Sequence, residues 1–119
     1  MKLDARVGDE VKLAESMKIL TDCFGHKVRL TDERLAHILE HAEMADMAAE
    51  IDRVLRQPQL VRRARSDATV RLFYEFYAQT MVGGKWLCVV VKYAEADAFV
   101  VTAYLTDKPK AGEDLWPTK

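Results

Sequence analysis

Lys85-Trp86-Leu87-Cys88-Val89-Val90-Val91-Lys92-Tyr93 and, four residues later, Ala98-Phe99-Val100-Val101-Thr102-Ala103-Tyr104-Leu105-Thr106 decide the fold. Both runs are rich in β-branched and aromatic residues and too short for membrane helices, so they read as neighbouring strands. Alternation divides each into two faces. In the first, Leu87, Val89 and Val91 oppose Trp86, Cys88, Val90 and Lys92. In the second, Phe99, Val101, Ala103 and Leu105 oppose Val100, Thr102, Tyr104 and Thr106. The apolar sides form the expected core, and an odd-numbered loop would then put Lys92, Thr102 and Tyr104 on the opposite, exposed face. A cation, a hydroxyl and a phenol there are either a site or an ordinary wet sheet face.

Working outward, Thr69–Gln79 alternates Val70, Leu72, Tyr74 and Phe76 against Arg71, Phe73, Glu75 and Tyr77, and Gly83-Gly84 marks a turn. Gln59–Arg65 reads as an arginine-rich edge strand. Before these strands the period is helical. Thr31-Asp32-Glu33 is a helix start, with a hydroxyl cap and acids in the first turn. Leu35, Ile38, Leu39 and Ala42 form the buried stripe. A second helix over about 46–57 uses Met47, Ile51, Val54 and Leu55 and must stop before Pro58. A break falls near Met44–Asp46. Residues 1–30 admit two readings: a helix using Val7, Val11, Ala14 and Met17, or a hairpin pairing Ile19-Leu20 with Val28–Leu30. The hairpin is favoured.

The expected architecture is therefore α+β: N-terminal helices on one face of a meander antiparallel sheet of about four strands. The 119 residues form one domain, with an extension or hairpin over 1–26, a core over 27–106 and a tail over 107–119. Trp116 is expected to anchor that tail. No apolar run reaches the ~18 residues of a membrane helix, and the acidic start, MKLDARVGDE, does not resemble a signal peptide. Together with Cys23 and Cys88, read as reduced thiols, this points to a cytoplasmic protein with no membrane partner.

A net charge of −1 argues against non-specific coating of nucleic acid, but the charge is unevenly distributed. Residues 1–52 carry −5, 53–92 carry +6 and 93–119 carry −2. The basic centre suits an anionic ligand or a solvated face. Its densest part is Arg62, Arg63, Arg65 and Arg71, near Phe73, Tyr74 and Tyr77. Guanidinium groups beside aromatics suit single-stranded RNA, whereas exposed Phe73 and Tyr77 would equally suit a homodimer surface.

His37-Ile38-Leu39-Glu40-His41 matches the H-x-x-E-H zinc pattern in form. A hydrolytic zinc site needs a third protein ligand, and none nearby is compelling, so no metal or other cofactor is expected. Both histidines fall off the apolar stripe and are solvated or line a cleft. No glycine-rich phosphate loop and no G-x-S-x-G elbow occur, and Cys88, among valines, reads as structural.

The run from Val28 to His41, followed by the arginine-rich strand, Lys85–Lys92, Phe99–Thr106 and the basic turn Lys108-Pro109-Lys110-Ala111-Gly112, resembles the phage-derived barnase–EndoU–colicin–RelE-like nuclease domains over about residues 27–116. Where members often show a proline after the second histidine and a bulky aromatic before the first, this chain has Ala42 and Leu35-Ala36. The resemblance implies metal-independent RNA cleavage through the ribose 2′-OH, often in toxins or phage-linked effectors held by a protein inhibitor or antitoxin. Carried over, His37 or His41 would be the general acid/base, Lys92 would stabilise charge, and Thr102 and Tyr104 would orient the phosphate. Arg62, Arg63, Arg65, Arg71 and Lys110 would bind RNA. The alternative is a non-catalytic RNA- or protein-binding module of the same fold. Geometry separates the two. If the apolar sheet face lies under the helices, Lys92 and Thr102 look away from the histidines.

Overall fold

The computed structural model describes residues 16–117. The first described element is a hairpin, β1 (Met17–Thr21) and β2 (Lys27–Thr31), pairing Leu20 with Val28. Two helices follow, α1 (Asp32–Leu39) and α2 (Ala48–Arg56), separated by a single 3-10 turn at Ala42–Met44. Five strands complete it: β3 (Leu60–Arg63), β4 (Val70–Tyr77), β5 (Lys85–Ala94), β6 (Asp97–Thr106) and β7 (Glu113–Trp116). The seven strands among the described residues form one sheet in the order β1-β2-β6-β5-β4-β3-β7. The β2–β6 pairing is parallel and the others are antiparallel, so the sheet is mixed.

This corrects the expected helices on a four-stranded meander. Strands precede both described helices, and the sheet gains β1 and β2 at one end and β7 at the other. The extra strands have local causes. The β1–β2 turn is tied by Asp22, whose carboxylate accepts the backbone N–H of Phe24 and His26 at 2.9 and 2.8 Å. β7 contains Glu113 and Asp114, poor strand formers by propensity. They pair with Arg63 and Arg62 across the β3 register, at 3.4 and 2.8 Å. β3 is therefore an interior strand and not the edge. Gly112 permits the approach, since a Cβ there would lie 2.4 Å from the Arg63 carbonyl oxygen. The helical reading of Val7, Val11 and Ala14 lies outside the described residues; Met17 belongs to β1.

The helices form where local chemistry directs them. The Thr31 hydroxyl accepts the Arg34 N–H at 3.0 Å, capping α1. Helix α2 ends before Pro58 and buries Ile51, Val54 and Leu55. Both helices cover one face of the sheet, over Val61, Phe73, Leu87, Val89, Val91 and Ala103. Each fully buried aliphatic side chain there stabilises the fold by roughly 1.5–3 kcal/mol. Phe73, expected to be exposed, is completely buried, and Tyr77 is half-buried with its hydroxyl donating to Glu50 at 2.7 Å. Among the described residues no helix is long and apolar enough to cross a membrane.

One irregularity sets the faces of β6. Ala94 pairs with Asp97 across a two-residue turn, Lys92 with Phe99, and Val91 with Val100. The register then slips, and Val90 pairs with Thr102. Val101 is the extra, bulged residue. Before it Ala98 and Val100 point into the core; after it Ala103 and Leu105 do. The expected core side, Phe99 with Val101, is thus wrong for the first half of the strand. The bulge restores the parity that leaves Thr102 and Tyr104 opposite the helices.

Candidate functional site: a basic, aromatic cavity on the uncovered sheet face

The uncovered face is a grid. β4 contributes Val70, Leu72, Tyr74 and Phe76; β5, running back, contributes Lys92, Val90, Cys88 and Trp86; β6 contributes Phe99, Thr102, Tyr104 and Thr106. The rows across are Leu72–Val90–Thr102 and Tyr74–Cys88–Tyr104, followed by Phe76–Trp86–Thr106. Leu72, Tyr74 and Cys88 are buried although no described helix covers them. Two loops shield them, residues 64–66 after β3 and 110–111 before β7.

Between these loops lies a cavity of about 380 Å³, lined by Leu72, Val90, Thr102, Tyr104, Arg65 and Lys110, with Ala64, Ser66, Val70 and Ala111 at its margins. This volume falls within the range of small-ligand sites, ~300–1,000 Å³. The floor is apolar, the walls carry hydroxyls, and two cations stand at the rim. Among the described residues neither a histidine nor a carboxylate lines it. Lys110 is placed by its backbone: its N–H donates to the Tyr74 hydroxyl at 3.0 Å, and its carbonyl accepts an Arg62 N–H at 2.8 Å. The Lys110 ammonium lies 5.9 Å from the centre of the Tyr104 ring. Among the described residues Arg65 and the Thr102 hydroxyl have no side-chain partner.

Cys88 is buried in the row between Tyr74 and Tyr104. Burial pushes its thiol up to about 11, and burial likewise pushes Tyr74 up to about 12. Tyr104 is raised too, first by desolvation and then by its neighbour Cys88. All three groups therefore stay protonated at neutral pH, and no thiolate or phenolate base forms here.

The sequence-derived candidates separate into four groups. Thr102, Tyr104, Arg65 and Lys110 line the cavity. Lys92 shares their face but lies beyond it, bound to Asp67 at 2.8 Å. That contact, with further hydrogen bonds from Thr69, holds the Asp67 carboxyl well below the usual carboxylate range. Arg62, Arg63 and Arg71 are occupied elsewhere. The first two pair with β7, and Arg71 lies on the covered face between the rings of Phe24 and Tyr93, at 4.8 and 4.5 Å from their centres. The histidines stand apart. His37 is exposed at the end of α1, 3.5 Å from Glu40, in a different depression with Thr31, Glu33 and Arg34. His41 is exposed beyond the helix. Because α1 lies on the covered face, neither histidine joins Thr102 and Tyr104 in one cleft.

Sequence reasoning missed a second polar cluster, around Asp22. This buried carboxylate accepts the Tyr93 hydroxyl at 2.6 Å, faces the His26 Nδ1 at 3.3 Å, and holds the two turn N–H groups. Burial and the bond to Asp22 keep Tyr93 protonated far above its ordinary range. The only sequence signal was the Asp22…Gly25 spacing of a turn, with Gly25 at φ 88°. Trp116 donates its Nε1–H to the Pro58 carbonyl at 3.2 Å and meets Phe24 edge-on, so it closes the end of the core.

The fold and site thus define a mixed-sheet α+β protein with a basic, aromatic cavity on its free face. Compared with known proteins, the chain matches no family model, no curated protein and no solved structure.

Proposed function

We propose that this chain binds RNA through the uncovered sheet face, as a non-catalytic module. The observation that carries this reading is the pairing of Arg65 and Lys110, free of ion pairs among the described residues, with an apolar and hydroxyl-bearing cavity that no described carboxylate lines. Phosphate suits the two cations, Thr102 and Ser66 can donate to phosphate or sugar oxygens, and the apolar floor accommodates the flat part of a nucleotide. Cleavage would also need a proton acceptor at the 2′-OH. The cavity's own ionisable groups among the described residues are two cations and the raised Tyr104 phenol, and both candidate histidines lie on other elements.

Two cations predict weak, salt-sensitive binding, with a slope of log affinity against log salt of about −1.4 for a single strand. The test is fluorescence anisotropy with a mixed-sequence single-stranded RNA in EDTA at low salt, followed by a gel of the same RNA. The expected result is binding of intact RNA, weakened about five- to tenfold by Lys110→Ala and by Arg65→Ala. Unchanged affinity in both variants would overturn the assignment of this face. Cleavage lost in a His37→Ala/His41→Ala variant would restore the nuclease reading in place of the binding one.

A further inference from the structure

Resting on that reading, we infer that the exposed ring of Phe76, braced edge-on by Trp86 outside the cavity, is a stacking platform for a nucleobase, so that the RNA is held as an unpaired strand. The platform continues the cavity wall. Tyr74, whose hydroxyl receives the Lys110 N–H, meets Trp86 edge-on at 6.4 Å and 89°, and Trp86 meets Phe76 at 5.6 Å and 66°. The inner ring of this ladder is fully buried and the outer ring, Phe76, is 43% exposed.

Phe76 is the exposed aromatic of this face, one row beyond Tyr74 on the same strand. Phe76 is also held in place rather than left loose. Its backbone N–H donates to the Gln59 side chain at 2.6 Å, and Gly84 lies so close that a Cβ there would reach 3.1 Å from the ring. Trp86 shares its row with Thr106, directly beyond the row of Tyr104. A strand advances about 3.3 Å per residue, so this row lies roughly 7 Å from the Tyr104 row. A chain with one phosphate at Lys110 can therefore place a neighbouring base on Phe76, beside Trp86. Bases paired in a duplex have no free face to offer, which sets the preference for single strands.

The test compares two short single-stranded RNAs of equal length, one bearing bases and one abasic, by anisotropy and by quenching of tryptophan emission. The unmodified protein should bind the base-bearing strand more tightly, with quenching that disappears in Trp86→Phe. Phe76→Ala, at an exposed position, should weaken the base-bearing strand about five- to a hundredfold and leave the abasic strand unchanged. Equal binding of both strands by the unmodified protein, or no effect of Phe76→Ala, overturns the platform. If Lys110→Ala still weakens both strands, the cavity reading stands without it. If neither strand binds the unmodified protein, both readings fall together.

Discussion

The two faces of this sheet solve opposite problems with similar residues. On the covered face, polar groups are used up internally. Asp22 receives Tyr93 and two backbone N–H groups, Tyr77 donates to Glu50, and Arg71 is stacked between two rings. On the free face, Arg65 and the Lys110 ammonium stand at a cavity without ion pairs, and Phe76 is left exposed. An arginine or tyrosine therefore means little by type. Its face and its partners decide whether it holds the fold together or is free to hold something else.

The largest effect should come from breaking the covered face's polar lock. Asp22→Ala strands the Tyr93 hydroxyl and two turn N–H groups and should cost about 3 kcal/mol, read as a lower urea midpoint. A loss within about 0.5 kcal/mol, the range of ordinary surface changes, would mean that water replaces the carboxylate freely and that the turn is not locked.

A somewhat smaller effect tests the back of the free face. The Cys88 thiol is raised by burial from 9.0 to about 11. A raised folded value favours the protonated, native form, so its stabilisation is complete below pH 9 and is lost as pH rises through about 11. The shift amounts to roughly 2–3 kcal/mol. Cys23, raised to about 11 by burial and by Asp22, and Tyr74, raised to about 12, add to the same alkaline loss. Melting temperature should fall steeply above pH 9, and less steeply in Cys88→Ala than in the unmodified protein. Parallel curves would show that Cys88 is open to solvent.

The smallest effect sharpens the comparison most. His37→Ala/His41→Ala should change neither stability nor RNA affinity by more than about 0.5 kcal/mol, because both side chains are exposed and remote from the cavity. A marked loss of RNA binding would move the site to the helix edge.

What was legible in the sequence was whatever a short window encodes. The Thr31 cap, the stripe of Ile51, Val54 and Leu55, and the alternation of β4 and β5 follow from local periodicity. Three features were not legible because they depend on distant partners. β7 carries acids that gain strand geometry only against Arg62 and Arg63. The bulge at Val101 is a register slip between β5 and β6, invisible in either strand alone. Alternation sets Arg71 apart from Tyr74, yet its place between the rings of Phe24 and Tyr93 depends on a turn and a strand far along the chain. The cavity was half visible. Thr102 and Tyr104 were placed together by parity, whereas Lys110 and Arg65 reach it from loops whose course no periodicity predicts.

The most direct test of the central claim is a two-dimensional amide NMR titration of the labelled protein with a short single-stranded RNA. Binding at the free face predicts perturbations at Leu72, Val90, Thr102, Tyr104 and Ala111, with Thr31–His37 unmoved. Perturbations confined to Thr31–His37, with the cavity residues silent, would contradict it.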